Sequence, residues 1–427
     1  MNKVLLVILF IITINSAAKS NWTPAGEMSA GNTDLVRALA YTDSGIMYAS
    51  SWGTGIYKST NRGINWTFSG LQGKRVTTLS ASRNGDVYGL SKTQDFSYIH
   101  RTTDNGNTWT DVFTGSFPLN FAGGGEIVFP SDGSIVAAFS VTVGPTIGDV
   151  STFVFKSTDS GNTWAQTQVI GAGFAGGMII TGDERILLGT SLGGVKYSTN
   201  NGSNFSNFTS FPPIFIKTIL KADPEIIYVS DAYGLNRSTD NGLTFTDIGS
   251  HSNGVTLRTA CVNRNGDLFI GMDDRNVYYS DDLGDSWKLI NEGLPAGSYF
   301  NVLISADGKI YGGTNNRGVM IYDIPTHINS GSEITGHYNL SQNYPNPFNP
   351  STVIRYTVPE SNDGRVVNVK LIIYDILGNE VEAIVNEKQS GGTYSVKFDG
   401  GNLAAGIYFY KLIADKYSSV RKMILLK

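Results

Sequence analysis

Apolar and polar residues alternate in short runs along most of this chain, and the runs come in pairs separated by tight turns. Residues 79–90 read LSASRNGDVYGL, residues 261–271 read CVNRNGDLFIG, and residues 303–313 read LISADGKIYGG. An Asn-Gly or Asp-Gly pair between alternating apolar residues predicts a two-stranded hairpin, because both residues tolerate the left-handed backbone that such turns require. Downstream of these hairpins an eight-residue unit recurs. It reads STDSGNTW at 157–164, with relatives at 59–66, 102–109, 198–205, 238–245 and 280–287. The third position is Asn61, Asp104, Asp159, Asn200, Asp240 or Asp282, and can accept backbone N–H groups within a turn. The fifth is always glycine (Gly63, Gly106, Gly161, Gly202, Gly242, Gly284), where a positive φ is expected. An aromatic closes the unit (Trp66, Trp109, Trp164, Phe205, Phe245, Trp287) and is expected to be buried on the outgoing strand. Each unit therefore predicts a strand–turn–strand clip.

The six clip glycines are spaced 43, 55, 41, 40 and 42 residues apart. That is the period of a four-stranded propeller blade. The repeat resembles the Asp-box, or BNR, repeat of sialidase-like β-propellers, and the resemblance implies that the six clips are structural turns on one side of a disc while ligands bind on the other. Inner strands start near Leu35, Val76, Gly124, Gly176, Lys217, Leu257 and Phe300, which predicts seven blades for six clips. The strand missing from the seventh unit is expected at residues 21–24, where Asn21-Trp22-Thr23-Pro24 mirrors Asn65-Trp66-Thr67-Phe68. Trp22 would then close the ring against residues 318–324, so that residues 19–324 form an all-β, seven-bladed propeller without exposed sheet edges.

The repeat stops after Ile324. Residues 325–338 are polar and turn-rich and read as a linker. Residues 339–427 alternate again and predict a small antiparallel sandwich of Ig-like type. Here Tyr344-Pro345-Asn346-Pro347-Phe348-Asn349-Pro350, Ile373-Tyr374-Asp375-Ile376-Leu377-Gly378, Leu403-Ala404-Ala405-Gly406-Ile407-Tyr408 and the terminal basic-apolar strand resemble the C-terminal sorting domain of type IX (Por) secretion. The resemblance implies passage across an outer membrane and a partner in the secretion machinery. At the other terminus, residues 1–18 have the form of a secretory signal: Lys3, an apolar run over residues 4–14, then Ser16-Ala17-Ala18. That run is shorter than the ~20 residues of a membrane span, so no span is expected once it is removed.

Composition narrows the function. Fifty glycines and 16% charged residues suit turn-rich strands, and a net charge of -4 gives no reason to expect nucleic acid as a partner. Cys261 is the single cysteine and sits in an apolar strand pattern, so neither a disulfide nor a nucleophile is expected. His100, His251, His327 and His337 lack metal-ligand spacing, and no metal or cofactor is expected. A monomer is expected.

If the clips lie at one end of each sheet, the loops joining second to third strands lie at the other, and that end is the expected binding face. Trp52, Phe96, Tyr98 and Tyr233 there are candidates to stack on a sugar or peptide, with Asp95, Asp231, Asp273, Asp274, Arg275 and Arg317 as polar contacts. Counting eight residues back from each hairpin turn aligns Arg37, Thr77, Gly125, Gly176, Lys217, Arg258 and Phe300 at the mouth of the central channel, so that Arg37, Lys217 and Arg258 would offer three cations to an anionic group. The sialidase resemblance implies an arginine triad that opens in a Phe-Arg-Ile-Pro-like motif. The corresponding strand here reads Leu35-Val36-Arg37-Ala38-Leu39-Ala40, and no Tyr–Glu pair accompanies it, so no catalytic residue is assigned. Three roles follow for an exported protein: binding of an extracellular glycan or protein, hydrolysis of an extracellular polysaccharide by paired acids such as Asp95 with Asp231 or Asp273, or docking within a surface assembly.

Overall fold

The computed structural model describes residues 21–426 except 29–33, 93–95, 117–124, 144–148, 172, 209–210, 212–214, 224–225, 232–233, 249–255, 264–265, 325–337, 341–342, 344–345, 360–365 and 416. The secretory signal, most of the linker, Asp95 and Tyr233 therefore lie outside the described residues. Among those described, every regular element is a strand. The fold is all-β and propeller-like, and no sheet closes on itself.

Seven four-stranded antiparallel sheets follow one another along residues 22–323. The first spans residues 36–70, the second 75–116, the third 125–170, the fourth 175–207, the fifth 216–247 and the sixth 257–289. The seventh takes three strands from residues 300–323 and its fourth from Trp22–Pro24, with Trp22 opposite Tyr322 and Pro24 opposite Met320. The second strands are apolar almost throughout: Met47–Ser51, Ile186–Thr190, Ile226–Asp231 and Leu268–Met272 are buried at every position. A strand covered on both faces needs such a run, because neither set of alternate side chains meets water.

Those side chains divide between two neighbours. Ala38, Ala40, Tyr48 and Ile56 of the first sheet pack with Val76, Leu79 and Val87 of the second, and an equivalent apolar cluster fills each succeeding gap. Trp22, Phe300 and Ile310 of the seventh sheet pack on Cys261 and Phe269 of the sixth. Tyr311 and Val319 of the seventh pack on Val36, Leu39 and Met47 of the first, so the series of gaps returns to its start. Cys261 is buried within this packing, and burial pushes its thiol far above the ordinary range.

The C-terminal module has its own core. A three-stranded sheet (Asn339–Leu340, Ser351–Val358, Gly392–Asp399) and a four-stranded sheet (Glu380–Gln389, Val367–Tyr374, Gly406–Ala414, Tyr417–Leu425) enclose Phe348, Ile354, Ile373, Tyr410 and Met423. The proline-rich segment is held against the last strand. Phe348 N–H donates to Ile424 O (2.9 Å), Leu426 N–H donates to Phe348 O (2.8 Å), and Asn346 Oδ1 accepts Ile424 N–H (2.8 Å). Here the Asn346–Pro347 and Asn349–Pro350 peptides are cis.

Candidate functional site

Because the strands of each sheet are antiparallel, the clips lie at one end of the sheets and the second-to-third loops at the other. The clip end is uniform. Ser157 Oγ accepts the Gly161 N–H (2.8 Å) and donates to Asp159 Oδ1 (2.8 Å). Asp159 Oδ1 also accepts the Thr163 N–H (2.8 Å), and its Oδ2 accepts the Thr163 hydroxyl (2.6 Å). Asp104, Asp240 and Asp282 repeat this network, while Asn61 and Asn200 accept the opening serine hydroxyl and the backbone N–H of Asn65 (2.9 Å) and Asn204 (3.0 Å) but no hydroxyl four residues on. The hydrogen bonds from Thr108 and Thr163 hold the Asp104 and Asp159 carboxyls down at about 2.

Each clip glycine has a φ between 74° and 95°, and the residue before it is left-handed as well, which the sequence reading had not included. The glycines also serve an unexpected purpose, for each lies against the preceding sheet. A Cβ on Gly106 would stand 2.6 Å from the Tyr48 ring, one on Gly161 3.0 Å from Tyr88, and one on Gly202 2.6 Å from Val136. Gly63 of the first sheet faces Tyr311 of the seventh. The closing aromatics are less enclosed than expected. Trp66 and Phe205 are buried, whereas Trp109, Trp164, Phe245 and Trp287 are half-buried, because the clip leaves one ring edge at the rim.

The loop end is varied. Arg37 is exposed, with its guanidinium carbon 5.0 Å from the centre of the Trp52 ring, and Arg75 approaches the same ring at 5.4 Å. Lys74 Nζ lies 3.9 Å over the Tyr98 ring. Across the mouth, Lys217 Nζ contacts Asp273 Oδ2 (3.0 Å) and Thr256 Oγ1 (3.2 Å), and Thr256 donates to the same carboxylate. Arg258 Nε is 2.8 Å from Asp273 Oδ1 and its guanidinium lies 4.1 Å over Tyr299. Burial works against the Asp273 carboxylate, but the Thr256 and Lys217 hydrogen bonds and the two cations hold it below its ordinary range.

Two carboxylates named from the sequence are occupied locally. Asp231 is buried, and accepts Gly234 N–H (2.9 Å) and Asn236 Nδ2 (2.8 Å). Asp274 accepts Asn276 N–H (3.0 Å) and Nδ2 (2.7 Å). Both brace their own loops, as short acidic side chains at turns do. Arg275 and Arg317 are exposed, Arg275 at a φ of 75°.

The aligned ring needs correction at two positions. In six inner strands the ladder skips a residue at this level, at Arg37, Thr77, Gly176 with Gly177, Lys217, Arg258 and Asn301. Phe300, one residue earlier, is buried with its ring 4.4 Å from Trp22. The seventh hairpin closes directly between Ala306 and Lys309, the first between Tyr41 and Met47, so counting back from the glycine shifts the register by one. In the third sheet the ladder is regular, Gly125 opposite Phe139, and the neighbouring side chain is Glu126. It is half-buried at the channel end of its strand, and burial raises its carboxyl to about 7.

Sequence reasoning also missed Lys74, Arg75 and Tyr299, since it drew its candidates from second-to-third loops and inner-strand starts and named none from the sheet-to-sheet connections that share that end. It missed a chain across the second sheet too. Ser91 Oγ is 2.6 Å from His100 Nε2, and His100 Nδ1 is 2.5 Å from Asp111 Oδ1. Ser91 is 2% exposed and His100 0%. Burial lowers the imidazole's pKa, with Asp111 opposing. The hydroxyl faces the packed sheet, so the chain braces Tyr98, whose ring stacks on His100 at 5.7 Å and 12°. Among the described residues no group of three or more His, Cys, Asp and Glu side chains is placed to hold a metal ion, and no helix is long and apolar enough to cross a membrane.

Fold and termini define an all-β, propeller-like protein that ends in an export module. Residues 342–426 match the secretion system C-terminal sorting domain, and residues 9–169 match the DUF6242 beta propeller domain. The sorting domain supports type IX secretion to the cell surface or extracellular space and implies interaction with that machinery. A xyloglucanase from Paenibacillus sp. is 28% identical over 260 residues, 55% of this chain and 24% of the relative, so the chain spans about a quarter of that relative's length. A virginiamycin B lyase from Staphylococcus aureus superposes with a TM-score of 0.58 at 12% identity, over 72% of this chain and 100% of that one. The GH74 enzyme of Niastella koreensis gives 0.56 at 15%, over 93% and 74%. At these identities the structures show the fold alone.

Proposed function

We propose that residues 19–324 form a seven-bladed Asp-box propeller of sialidase-like type, closed by its N-terminal strand and followed by an Ig-like sorting sandwich, and that its loop end binds an extracellular glycan or protein without cleaving it. Seven four-stranded sheets, seven packed gaps and the Trp22–Tyr322 pairing support the architecture. One observation carries the binding reading. The loop-end acids Asp231, Asp273 and Asp274 are already bonded within the protein, while across the mouth Arg37 and Lys74 lie against aromatic rings. Hydrolysis needs two carboxyls directed at a ligand. Binding needs only rings and charges held in place. A glycan array and a pull-down with extracellular proteins test this: retention of an unaltered ligand, reduced by Trp52→Ala, is the expected result, and no retention by either route would end it.

A second reading, polysaccharide hydrolysis, is favoured by the xyloglucanase relative and by Glu126, a channel-end carboxyl held near neutrality as a general acid requires. Release of reducing sugar from xyloglucan that disappears in Glu126→Gln would establish it in place of the first.

A further inference from the structure

Among the described residues, the seam between the first two sheets gathers three cations that lie against aromatic rings. Arg37, Lys74 and Arg75 come together, and no described acid pairs with any of them. The contrast lies across the channel mouth, where Lys217 and Arg258 share Asp273. Both Arg37 and Arg75 lie within 5.4 Å of the centre of one indole, which fixes their spacing, while their exposure leaves the N–H forks open. Beside them the exposed Phe96 ring stands 6.2 Å from Tyr98 at 48°. Tyr98 is itself stacked on the buried His100 and carries the Lys74 ammonium over its ring, so it positions that cation beside Phe96.

We propose that this seam binds an anionic polysaccharide, with the guanidiniums of Arg37 and Arg75 and the ammonium of Lys74 taking its carboxylate or sulfate groups and the exposed Phe96 ring taking a sugar face. The inference rests on the binding reading above and names its ligand class. Rings with adjacent cations suit a polymer that alternates flat sugar faces with fixed charges, and repeated charges along one chain raise the effective concentration of the next. Trp52 acts as a positioning residue, holding both arginines.

Calorimetry on the full chain tests the assignment, using polygalacturonate, dextran sulfate, neutral xyloglucan and poly-glutamate as probes. Binding of at least one of the two anionic glycans is expected, weakened when salt rises from about 50 to about 300 mM. Which of the two binds better identifies carboxylate or sulfate as the group recognised. Arg37→Ala with Arg75→Ala should lower affinity about tenfold or more, the double lysine variant should fall between, and Lys288→Ala, at the clip end, should leave it unchanged. Trp52→Leu should weaken binding and Trp52→Phe restore part of it, which a purely structural role would not do if melting temperatures match. The lysine pair serves should the alanine pair fail to fold. Xyloglucan bound as tightly as the polyanions, with the arginine variants unaffected, would overturn the inference while leaving a glycan-binding propeller. Poly-glutamate bound as tightly as either glycan would overturn it in favour of an acidic peptide. No binding of any glycan or protein would remove both readings.

Discussion

The two ends of the sheets use polar side chains in opposite ways. At the clip end the third-position carboxylates are consumed by their own turns: Asp104, Asp159, Asp240 and Asp282 each take a backbone N–H and a hydroxyl four residues on. At the loop end the polar groups differ from sheet to sheet, and Arg37, Lys74 and Arg75 lie against rings instead of acids. Repetition marks the end that builds the ring, and variation marks the end available for recognition. The N-terminal strand gives the sharpest test, because it belongs wholly to ring building. Trp22 is 2% exposed, donates from Nε1 to Ile290 O (2.8 Å), and lies against Phe300 and Tyr322. Trp22→Ala should lower unfolding free energy by about 3–5 kcal/mol in urea titration, with ligand affinity unchanged in the fraction that remains folded.

A pair of glycines compares the ends directly. Gly106 at the clip end has a φ of 74° and faces Tyr48 and Ser69 at 2.6 Å, whereas Gly53 at the loop end has a φ of 81° with nothing within 4 Å of its would-be Cβ. Gly53→Ala should therefore show only backbone strain, about 1 kcal/mol. Gly106→Ala adds overpacking against the neighbouring sheet, for a total of about 2–4 kcal/mol. Equal losses in thermal unfolding would mean that the clip glycines are chosen for φ alone and do not set the distance between sheets.

This contrast also explains what the sequence could show. The clips were legible because one local network repeats six times, and Trp22 was legible because Asn21-Trp22-Thr23 copies Asn65-Trp66-Thr67, where the first clip closes. Packing across gaps was not legible: nothing in Ser-Thr-Asp-Ser-Gly says that Gly161 will meet Tyr88, since that contact depends on the angle between sheets. At the loop end, Arg37, Lys217 and Arg258 could be aligned, but the tighter seventh hairpin shifted the count by one, so that Phe300 lies in the core and Asn301 at that level. Asp231 and Asp274 were taken for ligand contacts because a free and a turn-bonded carboxylate are spelled alike.

A smaller effect is expected from Asp273→Asn. Its carboxylate joins Lys217 and Arg258 from the fifth and sixth sheets, with side chains about one third exposed, so solvent screening keeps the stability loss below about 1 kcal/mol. The freed cations should instead act on ligand. Affinity for an anionic glycan should rise, giving this half of the mouth the character of the Arg37–Arg75 seam. A fall in affinity would mean that Asp273 itself contacts the ligand.

The smallest effect concerns pH and separates clips of nearly identical sequence. Asp104 and Asp159 are held down at about 2 by hydrogen bonds from Thr108 and Thr163. In the unfolded chain these bonds are gone and each carboxyl returns to about 3.9. A depressed folded value means that the stabilising contribution is complete above the unfolded pKa and is lost as pH falls through the folded one, so the loss should fall between about pH 4 and pH 2. The clips at Asn61 and Asn200 make the same backbone bonds without titrating. Asp104→Asn with Asp159→Asn should therefore flatten the acid limb of the melting curve while shifting the neutral melting temperature only slightly, because asparagine keeps the Oδ1 acceptor and gives up only the second bond to the Thr108 or Thr163 hydroxyl. An acid limb identical to that of the unsubstituted protein would assign acid sensitivity to groups outside the clips, and the chemical uniformity of that end of the molecule would then have no bearing on its stability.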